Sequence, residues 1–163
     1  MRAMRAAPYG VVLTVATIVV ALDQLTKQLA LNSLADGPVE LIDGVLTLRL
    51  AYNSGGAFGL LQGIPGFFLV ATLVVVALIL LWVRNVDDIG ALVPLGMILG
   101  GGLGNVFDRL FRDLGGRVVD FVDVGWWPVF NLADSCIVTG VGLILLVGVR
   151  SRPPGSDEAR ARG

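Results

Sequence analysis

Long runs without a charged side chain dominate this sequence. Ala6–Leu22 holds seventeen such residues, Leu50–Val83 thirty-four and Ile89–Phe107 nineteen, while Leu132–Val149 is apolar except for Asp134. Crossing the hydrocarbon core of a bilayer takes about 20 residues of helix, so the thirty-four-residue run is too long for one crossing. Pro65 and the cluster Gly55, Gly56, Gly59, Gly63 and Gly66 interrupt it. The pattern predicts an α-helical membrane protein with four transmembrane helices at about 8–31, 67–83, 89–107 and 132–149. Composition agrees. The chain is 55% hydrophobic and 15% charged, against about 25% charged in soluble domains, so 163 residues could not hide this much apolar surface from water. Arg2 and Arg5 ahead of the first run have the look of a signal peptide. No small-x-small cleavage site lies near Leu22-Asp23-Gln24, however, and the run is expected to persist as a helix.

Orientation follows from the basic residues. Four spans put both termini and the Arg84–Asp88 loop on one side, with seven arginines against four acidic residues; the opposite side has five basic against nine acidic. The termini are therefore expected in the cytoplasm. Residues 1–150 form a single membrane domain, and 151–163, with Pro153-Pro154 and alternating charges, read as a disordered cytoplasmic tail. The segments 32–66 and 108–131 face outward. In the first of these, Asp43-Gly44 is a turn signal, and Leu46, Leu48, Leu50 and Tyr52 alternate with Thr47, Arg49 and Ala51. A small outward-facing β-hairpin or sheet is expected there.

The chain has no histidine and one cysteine, Cys136. That excludes Ser-His-Asp and Cys-His catalysis, His-ligated zinc, cysteine-ligated clusters and an intrachain disulfide. A net charge of −1 argues against nucleic acid as a partner. Acid–base chemistry falls to carboxylates, or less readily to Lys27, a tyrosine or the N-terminal amine. Ionisable groups in or beside spans are costly and mark function, and here they gather at the outward helix ends. Asp23 and Lys27 stand four residues apart, as an anchoring ion pair would. Gly96, Gly100 and Gly104 form a close-packing stripe, followed by Asn105, Asp108 and Arg109; Arg109 is equally placed to reach lipid headgroups or to organise a site. Asp120 and Asp123 lie in an apolar segment. Asn131 and Asp134 open the last span, where they also suit a helix cap. Two carboxylates brought together at low dielectric share one proton. One can then activate water while the other donates to a carbonyl, a mechanism independent of metal and histidine. Proton-coupled transporters use the same groups.

Five segments together carry a family resemblance: Asp23-Gln24-Leu25-Thr26-Lys27, Asn53-Ser54-Gly55-Gly56-Ala57-Phe58, Gly101–Arg109, Val118-Val119-Asp120-Phe121 and Phe130-Asn131-Leu132-Ala133-Asp134-Ser135. In this order they resemble the lipoprotein signal peptidases (signal peptidase II), aspartic proteases of the bacterial inner membrane. The resemblance implies a catalytic dyad of Asp120 and Asp134, with Asp123 left out. It implies substrate-binding or site-organising roles for Asp23, Lys27, Asn53, Gly56, Asn105, Arg109 and Asn131. It further implies cleavage of diacylglyceryl-modified prolipoproteins before the lipidated cysteine, at the outer leaflet, with membrane lipid as surroundings and no cofactor or metal. The stretch Leu110–Val119 is a few residues longer than the family pattern. A small proton- or ion-coupled transporter is the main rival, although a relay should spread carboxylates over several depths. The Gly-x-Gly-Asp intramembrane proteases are disfavoured, because Gly102-Leu103-Gly104 is followed by Asn105.

Overall fold

The computed structural model describes residues 6–55, 65–86 and 88–150. Helix α1 (Ala6–Ser33) is followed by strands β1 (Val39–Ile42) and β2 (Leu46–Asn53), helices α2 (Pro65–Val83) and α3 (Ile89–Phe111), strand β3 (Val118–Asp123) and helix α4 (Leu132–Arg150). The fold is mostly helical with one small sheet. Two helical stretches, Pro8–Ser33 and Ile89–Phe111, are long and apolar enough to cross a membrane, and Leu69–Val83 and Leu132–Gly148 are shorter apolar helices. Leu13, Leu25, Leu29, Leu78, Val138 and Leu145 are all about half exposed or more. Apolar surface of this extent is suited to lipid.

Helix α3 is the hub, packing against α1, α4 and α2. Its glycines make this possible. A Cβ on Gly100 would lie 2.7 Å from the Ala16 carbonyl oxygen of α1, and one on Gly101 would lie 2.5 Å from the Ala133 carbonyl oxygen of α4. The stripe Gly96, Gly100 and Gly104 faces Val12, Val15, Ala16, Val19 and Asp23, so the close approach it provides is within the chain. Asp88 caps α3, its Oδ1 accepting from the Gly90 N–H at 2.8 Å, which satisfies one of the free donors of the first turn. Leu92, Leu95 and Leu99 of α3 then bury against Val12, Ala16, Ile79 and Val83.

The expected hairpin forms, its turn made by Gly44 at φ 64°, a conformation open to glycine at no steric cost. The structure adds a strand that sequence reading did not assign. β3 pairs antiparallel with β2, Ala51 opposite Asp120 and Asn53 opposite Val118, giving the order β1-β2-β3. Helix α3 also runs one turn past the expected end at 107, so Asp108 and Arg109 continue the helix that carries Asn105. The long 110–119 connection turns at Arg112 and reverses through Gly115 and Gly116, both at positive φ, and places Arg117 over the Tyr52 ring. Beyond β3 the chain folds back. Phe130 exchanges backbone hydrogen bonds with Val122 at 2.9 and 3.0 Å, which brings Asn131, the residue before α4, beside Asp120 of β3.

Gly101→Ala should force α4 away from α3 and lower stability by about 1–3 kcal/mol, the usual range for overpacking. Gly142→Ala, where a Cβ would meet nothing within 4 Å, should be neutral or slightly stabilising. Thermal unfolding in detergent micelles compares the two, and equal midpoints would contradict the packing role of Gly101.

Candidate active site

Two carboxylates converge from different elements. Asp120 sits in the middle of β3 and is 1% exposed, and Asp134 lies in the first turn of α4. Asp120 and Asp123 are three residues apart in one strand, so their side chains leave it on opposite faces. Asp120 turns inward. Asp123 turns outward to Arg49 of β2 and accepts from the Gly125 N–H at 2.8 Å. The Arg49 hydrogen bond holds the Asp123 carboxyl below the usual carboxylate range.

Asn131 ties the two inner carboxylates together. Its Nδ2 donates to Asp120 Oδ1 at 2.7 Å, its Oδ1 accepts from the Asp134 N–H at 2.9 Å, and its own N–H donates to Asp134 Oδ2 at 3.3 Å. The reciprocal pair is a helix cap, so the capping role open in the sequence is realised in the same side chains that sit between the aspartates. The remaining oxygens are also met. Asp120 Oδ2 accepts from Asn53 Nδ2 at 3.0 Å, and Asp134 Oδ1 accepts from Asn105 Nδ2 at 2.8 Å. Burial, and then the nearby negative charge of Asp134, push the Asp120 carboxyl up to about 7; both disfavour a second charge in a poorly solvated site.

Behind Asn105 lies a cluster of buried charges. Lys27 is fully buried between Asp23 Oδ2 at 2.8 Å and Asp108 Oδ2 at 2.9 Å. The expected Asp23–Lys27 pair therefore forms, joined by Asp108, which sequence reading named but gave no role. Gln24 and Arg112 complete the cluster, each bonded to Asp108 Oδ1 at 2.9 Å. The Asp108–Arg112 spacing of i, i+4 was a legible signal, hidden because both were placed beyond the third helix. Arg109 donates to the Asn105 carbonyl at 3.3 Å. Its buried Nε has no partner among the described residues, and its charge is within reach of Asp134 and Asp120. Gly56 lies outside the described residues, as does the tail at 151–163. Among the described residues, no group of three or more His, Cys, Asp or Glu side chains could hold a metal ion.

The two carboxylates open onto different surroundings. Asp134 borders an apolar recess of about 470 Å³ lined by Val124, Trp126, Trp127, Phe130, Ser135, Val138 and Thr139. Asp120 borders a smaller, polar recess of about 230 Å³ lined by Arg49, Ala51, Tyr52, Asn53, Ser54, Pro128 and Val129. A group held between them would meet hydrocarbon on one side and peptide-like polarity on the other.

Comparisons with known proteins agree on one family. The family described as signal peptidase (SPase) II matches residues 15–150. A lipoprotein signal peptidase of Mycolicibacterium smegmatis is 44% identical over 164 residues, covering 93% of this chain and 69% of the relative. One from Shouchella clausii is 46% identical over 136 residues, covering 81% and 88%. A bacterial membrane enzyme solved by the in meso method at 1.9 Å superposes with a TM-score of 0.76 at 29% identity, over 88% of this chain and 95% of that one.

The raised proton affinity of Asp120 has a consequence for stability. The unfolded carboxyl releases its proton near 3.8, whereas the folded one keeps it to about 7. Asp120 therefore contributes most at low pH, and its contribution is lost as pH rises from about 4 to about 7. Melting curves of the native protein and Asp120→Asn, taken across that window, should show a shallower pH dependence in the variant; parallel curves would contradict the assignment.

Proposed function

Because this chain belongs to the signal peptidase II family, whose members are aspartic-type proteases of bacterial membranes, we propose that Asp120 and Asp134 form its hydrolytic dyad. The protein removes signal peptides from prolipoproteins, cutting before a diacylglyceryl-modified cysteine. The observation that carries the dyad is Asn131, which bonds both carboxylates at once from the junction of β3 and α4.

The chemistry follows from the surroundings of each carboxyl. Asp120, pushed to about 7, is the member of the pair that keeps a proton well above the ordinary carboxylate range. Asp134, in the first turn of α4 with N–H groups aimed at both oxygens, is placed to carry the charge. Asp134 takes a proton from water as the water oxygen adds to the scissile carbonyl carbon, and Asp120 gives its proton to the carbonyl oxygen. The tetrahedral adduct then collapses. The C–N bond breaks, Asp134 returns its proton to the leaving nitrogen, and a hydroxyl proton of the adduct goes back to Asp120. No covalent intermediate is needed. The apolar recess beside Asp134 suits the acyl chains of the modified cysteine, and the polar recess beside Asp120 suits the peptide. Arg109, whose buried Nε has no partner among the described residues, is available to bind a substrate carbonyl.

All four helices are read as spans of one domain, 1–150. The shorter ones, α2 and α4, have nineteen residues each, roughly 28 Å of helix, close to the thickness of the hydrocarbon core. With the arginine-rich side in the cytoplasm, the sheet and dyad lie at the outer leaflet, where an exported precursor presents its cleavage point. A transporter is not favoured, because the family is enzymatic and the inner carboxylates gather at one end of the helices.

Asp120→Asn and Asp134→Asn should each lower cleavage of a diacylglyceryl-modified prolipoprotein by on the order of 10³-fold or more without loss of membrane insertion. Asp123→Asn should retain most turnover. Shortened lipoprotein on a gel reads the outcome, and sustained cleavage by either dyad variant would overturn the assignment. For topology, a membrane-impermeant thiol reagent on intact spheroplasts should label Asp43→Cys and spare Asn85→Cys; the reverse pattern would invert the orientation.

A further inference from the structure

Lys27 is the chain's one lysine, fully buried near the outward end of α1. An ammonium has three N–H bonds, and all three are used here: to Asp23 Oδ2 at 2.8 Å, Asp108 Oδ2 at 2.9 Å and Asn105 Oδ1 at 3.0 Å. None is left for Asp120 or Asp134. Each acceptor, however, leads to one of them. Asp23 Oδ1 accepts from the backbone N–H of Ala133 at 3.0 Å, the residue before Asp134. Asp108 Oδ2 accepts from the backbone N–H of Val119 at 3.1 Å, the residue before Asp120. Asn105 gives its Nδ2 to Asp134 Oδ1 at 2.8 Å.

We propose that Lys27 is a positioning residue for the hydrolytic dyad: through Asp23 and Asp108 it sets the spacing of the backbones that carry Asp134 and Asp120, and through Asn105 it dictates which end of an amide faces Asp134. This rests on the reading of Asp120 and Asp134 as the dyad. The second effect is a matter of donors and acceptors. Asn105 Oδ1 takes hydrogen bonds from both Lys27 and Asn131 Nδ2, the latter at 3.1 Å. A reversed amide would set N–H against the ammonium and oxygen against the Asp134 carboxylate, unfavourable at both ends. Lys27 thereby guarantees that a donor faces Asp134, the arrangement that suits a carboxylate. An ion pair that only anchored α1 would need Asp23 alone. Contacts with α3 and the two backbone grips on α4 and β3 are what a spacing device requires.

The prediction concerns the pH profile of the pair, so its other neighbours matter. Asn105 and Arg109 face it from α3, Lys27 from α1, and Asn53, Arg49 and Tyr52 from β2 on the Asp120 side. Helix α2 has no ionisable side chain from Pro65 to Val83. Removing one cation and one anion together leaves the net charge of this environment unchanged. The double variant Lys27→Met/Asp108→Asn does so, and the amide oxygen it introduces can still accept from the Val119 N–H. In the full-length enzyme in micelles, with a diacylglyceryl-modified prolipoprotein as substrate, KM should be unchanged. The kcat should fall on the order of 10²-fold, the cost of a small misplacement of reacting groups, and the pH–kcat profile should move to higher pH. A folded double variant with native kcat and native profile would overturn the proposal. Should that variant fail to fold, Lys27→Met/Asp23→Asn repeats the test with the Asp108–Arg112 pair intact and an amide oxygen left for the Ala133 N–H. A native kcat and profile there would also overturn the proposal, and a lowered kcat with the profile moved to higher pH would support it. Turnover by Asp120→Asn or Asp134→Asn would instead show that the dyad reading had failed, whatever Lys27 does.

Discussion

An ammonium sealed where helices meet is tolerable only if its charge is answered and each N–H finds an acceptor. Lys27 meets both conditions with side chains from two helices, Asp23 of α1 and Asp108 and Asn105 of α3. Arg112 balances the second carboxylate, so the cluster holds two cations and two anions. The arrangement is intolerant of change, since removing either partner of such a pair leaves an uncompensated buried charge, typically costing about 3–5 kcal/mol. That intolerance makes it a rigid reference. The strand and helix that bring the aspartates together are gripped from it by single backbone hydrogen bonds.

Glycine allows the cluster to exist at all. Side chains as short as Asp and Asn bridge helices only when the backbones nearly touch, and a Cβ at Gly104 would lie 2.6 Å from Asp23 Oδ2. Association of helices within lipid draws little from hydrophobic burial and depends on close packing and interhelical polar contacts. Here both reside on α3, in alternate use of the same few turns: glycines toward α1 and α4, then Asn105, Asp108 and Arg109 toward the C-terminal end of the helix.

Asp120 lies at odds with stability. A carboxyl pushed to about 7 disfavours its own charged form in the folded state, and a neutral side chain would ease that burden. Such a residue persists where surrounding structure holds it in place and chemistry requires it. Asn53, Asn131 and Asn105 supply that structure as neutral donors. They satisfy carboxylate oxygens without the full positive charge that would lock both aspartates in the ionised form.

Much of this was legible in the residues. Charge-free runs placed four apolar helices because hydrophobic length needs no tertiary information. The i, i+4 spacing of Asp23 and Lys27 announced their pairing, and the ordered motifs pointed to the family. Other features depended on contacts between distant segments. Asp120 and Asp123 look alike in sequence; pairing of β3 with β2 turned one inward and left the other to Arg49, because neighbouring strand positions face opposite ways. Whether the glycine stripe served this chain or a partner could not be read from spacing, and was decided by Ala16 and Asp23 arriving on it. Asp108 gave no sign of standing beside Lys27, eighty-one positions away. Local chemistry thus determined which groups were present and how far each helix could run. Only the folding of α1, α3, β3 and α4 onto one another decided which of thirteen acidic residues would lose water, and the raised proton affinity of Asp120 follows first from that loss.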